Sequence, residues 1–340
     1  MIGRSGSTWV PIARTQRRPV IAAHLSFTRA AFALAFTSLL LTYGADARLQ
    51  QRPEEGPFRI SAGVDLVVLE LAVVDRKGHF IEDLPREAFQ VFENGRPQET
   101  EFFSHEDLPV TIGLVIDSSG SMRAKRREVI LSSLAFAGAS NPQDEMFVVK
   151  FSDTVEFGLP PETPFAHGAG QLRPALLGIN CAGQTALYDA VVQALDHLGR
   201  GRHERKALLI VSDGGDNRST ITLPDLLERV RRASATIHAI SLYDEVSRER
   251  NLKVLKDICA ASGGEYYTPA DVDETGTICR RIARDLRTQY IIGYRPQDVG
   301  NDTAYRHIKV SVKVPGRHDL VVRTREGYYP RPSAAARPEK

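Results

Sequence analysis

Apolar residues follow two different rhythms along this chain. Towards both ends they alternate with polar ones: "VDLVVLELAVVD" (64–75), "FQVFENG" (89–95) and "QETEFFSH" (98–105) on one side, "YRHIKVSVKV" (305–314) and "DLVVRTREGYY" (319–329) on the other. A period of two marks strands that bury one face. In the middle, four stretches are apolar nearly throughout: "VTIGLVID" (110–117), "EMFVVKFSD" (145–153), "KALLIVSD" (206–213) and "TIHAISLY" (236–243). Such runs predict strands buried on both faces. Helical patterns separate them, around 123–139, 185–198, 223–233, 251–261 and 272–286. In the second of these, Leu187, Val191, Leu195 and Leu198 share one face. Two short strands, "TVEFGLP" and "EYYTP", complete the series. Strands alternating with helices imply right-handed crossovers, and so an α/β fold: an open, doubly wound, mostly parallel sheet with helices on both faces.

This pattern divides the chain into a central α/β domain at 108–290 and β-rich flanks at 57–106 and 291–329. Each flank has apolar strand faces and no helix of its own to cover them. The two are therefore expected to pack together as one sandwich-like domain, with the α/β domain inserted between them. The breaker-rich stretch 48–56 reads as a linker, and 330–340 as a disordered tail. Residues 30–43 carry no charge, but fourteen residues fall short of the roughly 20 that a membrane span needs. Arginines precede this run, and the small-x-small "ADA" (45–47) follows it. That is the pattern of an export signal cut after Ala47 or, if retained, of a membrane anchor. Export would place the protein in the periplasm, at the cell envelope or outside the cell.

Composition alters this picture little. A hydrophobic content of 42% and a charged content of 25% are ordinary for a globular protein. Five of the 44 basic residues and one of the 42 acidic ones lie in 1–47, so the remainder carries a net charge of −2. No basic stripe of the kind a nucleic-acid binder needs is present. The three cysteines, Cys181, Cys259 and Cys279, lack metal-type spacing; they read as small buried apolar residues, with a Cys259–Cys279 bridge as the alternative.

The chemistry lies where the buried strands end, which is where ligands bind in such sheets. "DSSGS" sets Asp117, Ser119 and Ser121 on alternate positions around Gly120. "GQTALYDA" puts Thr185 at a helix start, and "VSDGGDN" puts Asp213 at the end of a strand. Five hard oxygens, two of them carboxylates, suit Mg²⁺, Mn²⁺ or Ca²⁺; zinc would call for His or Cys. The competing reading is that the serines merely cap the following helix. These residues resemble the metal-ion-dependent adhesion site of the von Willebrand factor type A domain, whose pattern is Asp-x-Ser-x-Ser, a distant Thr and a later Asp. All five positions match, in order. The flanking "FQVFENGRPQ" and "REGYYPRP" are similar to those of the bacterial VWFA-related subfamily. The resemblance implies that Ser119, Ser121 and Thr185 touch the ion, while Asp117 and Asp213 act mainly through water. The ion would then seek a protein partner's Asp or Glu carboxylate.

Weaker features surround this set. Asp216 and Asn217 read either as a second ion site or as a turn. Arg123, Lys125, Arg126 and Arg127 read as a solvated helix face or a steering patch, and the same holds for Arg280, Arg281, Arg284 and Arg287. His203-Glu204 lacks the second His of a zinc protease. No general-base His or Cys falls in the three loops, and no G-x-S-x-G elbow or phosphate-cradling loop occurs. The expectation is a non-enzymatic, metal-dependent protein-binding module with no nucleic-acid partner, touching membrane only through a retained anchor. A metal-dependent hydrolase and a metal-stabilised scaffold are the alternatives.

Overall fold

The computed structural model describes residues 66–242, 252–297, 304–317 and 319–330. The export signal or anchor at 1–47, the linker at 48–56, the start of the first flank and the tail beyond Pro330 lie outside these residues.

The first flank forms β1 (Val67–Val74), β2 (Phe89–Glu93), β3 (Arg96–Gln98) and β4 (Thr100–Ser104). The central region then runs β5 (Val110–Asp117), α1 (Arg126–Ala139), β6 (Glu145–Phe151), β7 (Val155–Phe157), α2 (Ala169–Leu177), α3 (Leu187–Leu198) and β8 (Arg205–Ser212). It continues with α4 (Leu223–Arg232), β9 (Thr236–Ser241), α5 (Leu252–Ser262), β10 (Tyr266–Tyr267) and α6 (Thr275–Asp285). The last strands are β11 (Tyr290–Tyr294), β12 (Arg306–Val312), β13 (Val321–Arg323) and β14 (Gly327–Tyr328). Among the described residues no helix is long and apolar enough to cross a membrane.

The α/β fold expected from the alternating pattern is the one observed. A six-stranded sheet runs β10-β9-β8-β5-β6-β7, parallel throughout except for the edge strand β7. Each face has its own core. Ile112, Leu114 and Ile116 of β5 join Phe136 of α1, Leu172 of α2 and Ile282 of α6 on one side. Val115 joins Leu187 of α3, Leu226 of α4 and Leu255 of α5 on the other. The glycine inside β5 has a packing cause: a Cβ on Gly113 would lie 2.4 Å from the Phe147 ring and 2.5 Å from Leu208. Two helical details differ from the sequence reading. The segment read as helix from 123 opens as a 3-10 turn over Gly120–Lys125, and α2 was not anticipated.

The flanking strands form two antiparallel sheets, β13-β1-β11-β4 and β14-β12-β2-β3, and each sheet draws strands from both ends of the chain. β11, which follows α6, lies between β1 and β4, while β12 pairs with β2 from Val312 opposite Phe89 to Ile308 opposite Glu93. Val67, Leu69, Leu71 and Val73 of β1 share one core with Tyr290, Ile292, Ile308 and Val310; Val312 and Val314 lie at its margin. A buried polar knot closes this core. Glu93 accepts hydrogen bonds from Tyr294 (2.7 Å), Tyr328 (2.9 Å) and Arg306 (2.8 Å).

Candidate metal centre

Asp117, Ser119, Thr185 and Asp213 are buried, and Ser121 reaches the surface. Register places the first carboxylate: β5 pairs with β8 as far as Ile116 opposite Val211, so Asp117 and Ser212 end adjacent strands. The Ser212 hydroxyl donates to Asp117 Oδ2 (2.6 Å), and the Ser119 backbone N–H donates to Asp117 Oδ1 (2.8 Å). Asp117 is thereby fixed behind the serines. Ser119 and Ser121 bring their Oγ atoms to 3.1 Å of each other. Asp213 Oδ1 accepts from the Gly215 N–H (3.2 Å), which folds the loop after β8 back on itself.

Thr185 comes from a remote loop, and the turn after Asp213 holds it there. Asn217 and Arg218 both donate backbone N–H groups to the Thr185 carbonyl (3.0 and 3.2 Å), and the Thr185 N–H donates to Asn217 Oδ1 (2.9 Å). Asp216 accepts from the Tyr188 N–H (2.9 Å) and the Ser219 hydroxyl (2.6 Å). Asp216 and Asn217 therefore brace the loop that carries Thr185. From the other direction, the Gly120 N–H donates to the Gly183 carbonyl (3.1 Å), and Asp153 Oδ1 accepts from the Gln184 N–H (3.1 Å). Gly183 adopts φ +83°, and a Cβ there would sit 2.1 Å from Asp153 Oδ2. Gly183→Ala is expected to cost about 1–3 kcal/mol of stability and to weaken ion binding by displacing Thr185; thermal melts and a Mn²⁺ titration of the variant check both.

The basic run after the serines is not simply a solvated face. The Arg123 guanidinium donates from Nε and Nη2 to the Cys181 carbonyl (both 3.3 Å), and Arg126 donates to the Ile179 and Leu177 carbonyls. These two arginines tie the start of α1 to the loop leading to Thr185. All three cysteines are buried free thiols.

The serines do not act as helix caps. Ser119 is the N-cap of the 3-10 turn but makes no side-chain capping bond, and the residue before α1 is Lys125, also without one. The Ser119 hydroxyl is directed to Ser121 instead. Burial pushes the Asp117 carboxyl up to about 6; the charge of Asp213 adds to the rise, and the hydrogen bonds from Ser119 and Ser212 oppose it. Two carboxylates and three hydroxyls, four of the five residues buried and Ser121 open to the surface, fit a hard divalent cation that takes oxygen ligands. Among the described residues there is no cluster of three or more His, Cys, Asp or Glu.

Residues 112–215 match the family model of the von Willebrand factor type A domain. That span takes in β5 to β8 and all five site residues. Over this span the chain thus has a von Willebrand factor type A domain. Similar solved structures include a von Willebrand factor type A protein from Catenulispora acidiphila: 13% identity, TM-score 0.48, covering 80% of this chain and 75% of that one. Another is an aerotolerance-related membrane protein from Bacteroides fragilis NCTC 9343: 13% identity, TM-score 0.41, 52% of this chain and 98% of that one. A third is the vWF domain of the type V pili tip protein Mfa5 from Porphyromonas gingivalis: 13% identity, TM-score 0.43, 52% and 95%. No curated protein matches the sequence.

Proposed function

We propose that this protein is a divalent-cation-dependent binding module of the cell envelope or exterior, and that its ligand is a protein presenting an Asp or Glu carboxylate to the ion. In this reading Ser119, Ser121 and Thr185 contact Mg²⁺ or Mn²⁺, with Asp117 and Asp213 behind them. The observation that carries it is the Ser119 hydroxyl: it sits at a helix start, caps nothing, and is turned towards Ser121 beside two buried carboxylates. All three side chains that touch the ion are neutral, so the ion keeps much of its charge and favours an anionic ligand at an open position. Binding is favoured over hydrolysis because the groups bonded to these residues are hydroxyls, amides and backbone.

Immobilised protein is expected to retain a specific partner from an envelope extract in Mg²⁺. That partner should be lost both on adding chelator and with Asp117→Ala. A partner retained under both conditions would move the reading to a scaffold in which the metal only steadies the loops.

A further inference from the structure

α6 ends at a seam where the helix, the antiparallel sheets and the β10 edge of the parallel sheet meet, and a carboxylic acid is buried in it. Asp285 is only 4% exposed, and its Oδ2 takes no hydrogen bond. The nearest cation, Arg281 one turn earlier, holds its Nε 3.5 Å away. That guanidinium is shared: Nη2 donates to the Gly78 carbonyl in the turn after β1 (2.5 Å), and its carbon lies 5.9 Å from the centre of the Tyr267 ring. Beyond the ring, Glu265 accepts from the Tyr267 hydroxyl (2.6 Å), pairs with Arg323 of β13, and donates its own N–H to His238 of β9 (3.1 Å).

The groups facing Asp285 are therefore Arg281 and Arg284 from its own helix and Glu265 and Tyr267 from the β10 edge. The turn around Gly78 adds Asp75, Lys77 and His79, of which Asp75 and His79 are paired with each other (3.1 Å). α1 meets α6 through the apolar cluster of Phe136, Cys279 and Ile282.

We propose that Asp285 is a proton-operated latch on α6: protonated, it lets the helix seat firmly against β10 and the Gly78 turn, and ionised, it loosens that seat. A buried carboxylate whose closest cation, Arg281, is shared and imperfectly placed, with Arg284 acting only at longer range and a second carboxylate nearby, is costly when charged. Protonation removes the cost and leaves Arg281 to Gly78 and Tyr267. Burial pushes the Asp285 carboxyl up to about 7; Arg281 opposes the rise and Glu265 reinforces it. A folded-state value above the exposed one means that the closed seam binds the extra proton. The seam is then tightest at acid pH and loosens as pH rises through 7.

Amide hydrogen exchange over α6 in the full chain, corrected for intrinsic rates, reads this directly. Exchange is expected to accelerate roughly tenfold between pH 6 and pH 8 and to level off above. Asp285→Asn, neutral at every pH, should keep the slow rate throughout. Arg281→Gln retains the carboxyl but loses the cation, so the midpoint should move to higher pH. A flat wild-type profile, an unchanged pH dependence in Asp285→Asn, or an unmoved midpoint in Arg281→Gln would each overturn the latch.

Discussion

Replacing Asp117 is expected to abolish divalent-ion binding and, in the absence of metal, to make the protein more stable near neutral pH. The two outcomes share one cause. Asp117 is 1% exposed, faces Asp213 at the end of β8, and is held by the Ser119 N–H and the Ser212 hydroxyl. Those two bonds do not offset its desolvation, so its carboxyl titrates near 6 instead of 3.8. A value raised by folding contributes stability that is complete below pH 3.8 and disappears as pH climbs through 6. Above that, the ionised group costs the metal-free fold roughly 3 kcal/mol. Asp117→Asn keeps the shape and an acceptor for the Ser119 N–H, and should erase this part of the pH dependence. Melting curves in chelator from pH 4 to 7 should show the wild type losing stability relative to the variant. Mn²⁺ should then stabilise the wild type above pH 6 and leave the variant unchanged. Equal Mn²⁺ affinity in the two proteins by calorimetry would remove Asp117 from the site. A wild type that gains on the variant as pH rises in chelator would show that its charge is compensated within the protein.

The α/β fold was legible because its signals are local. "VTIGLVID" and "KALLIVSD" are apolar on both faces because helices cover both, and the oxygen-bearing residues follow directly at their ends. α2 was missed because Ala169–Leu177 begins after Gly168, contains Gly170 and Pro174, and buries only Leu172 and Leu176, too little periodicity to stand out. What braces the site was not legible either. Asn217 holds Thr185 from 32 positions away, and Arg123 reaches a carbonyl 58 positions on. No short spacing betrays such partners. The seam misled for a related reason. Arg281 looks like a member of a solvated face, yet its guanidinium donates to the Gly78 carbonyl, 203 positions away in the sequence. Its partner comes from a turn near the other end of the chain, which periodicity within one element cannot reveal.

Cutting the chain after Arg295 should unfold the N-terminal strands and spare the central domain. The truncation leaves β11 in place beside β1 and β4 but removes β12, β13 and β14. β2 then loses the partner it pairs with along its whole length, and β1 loses β13. Ile308, Val310 and Tyr328 leave the shared core, where side chains of this kind contribute about 1.5–3 kcal/mol each. Glu93 keeps Tyr294 but loses Arg306 and the Tyr328 hydroxyl, and stripping a buried carboxylate of its cation costs about 3–5 kcal/mol. Together these losses reach the roughly 5–15 kcal/mol by which a whole domain is stable. The six-stranded sheet loses none of its strands, and both of its cores stay intact. Limited proteolysis of the truncated chain should therefore cut promptly within 66–104 and leave a resistant fragment spanning 110–286. If residues 66–104 resist protease as they do in the full chain, the N-terminal strands form a stable unit by themselves. The central domain would then be an appendage to that unit and not an insertion within a domain built from both ends of the chain.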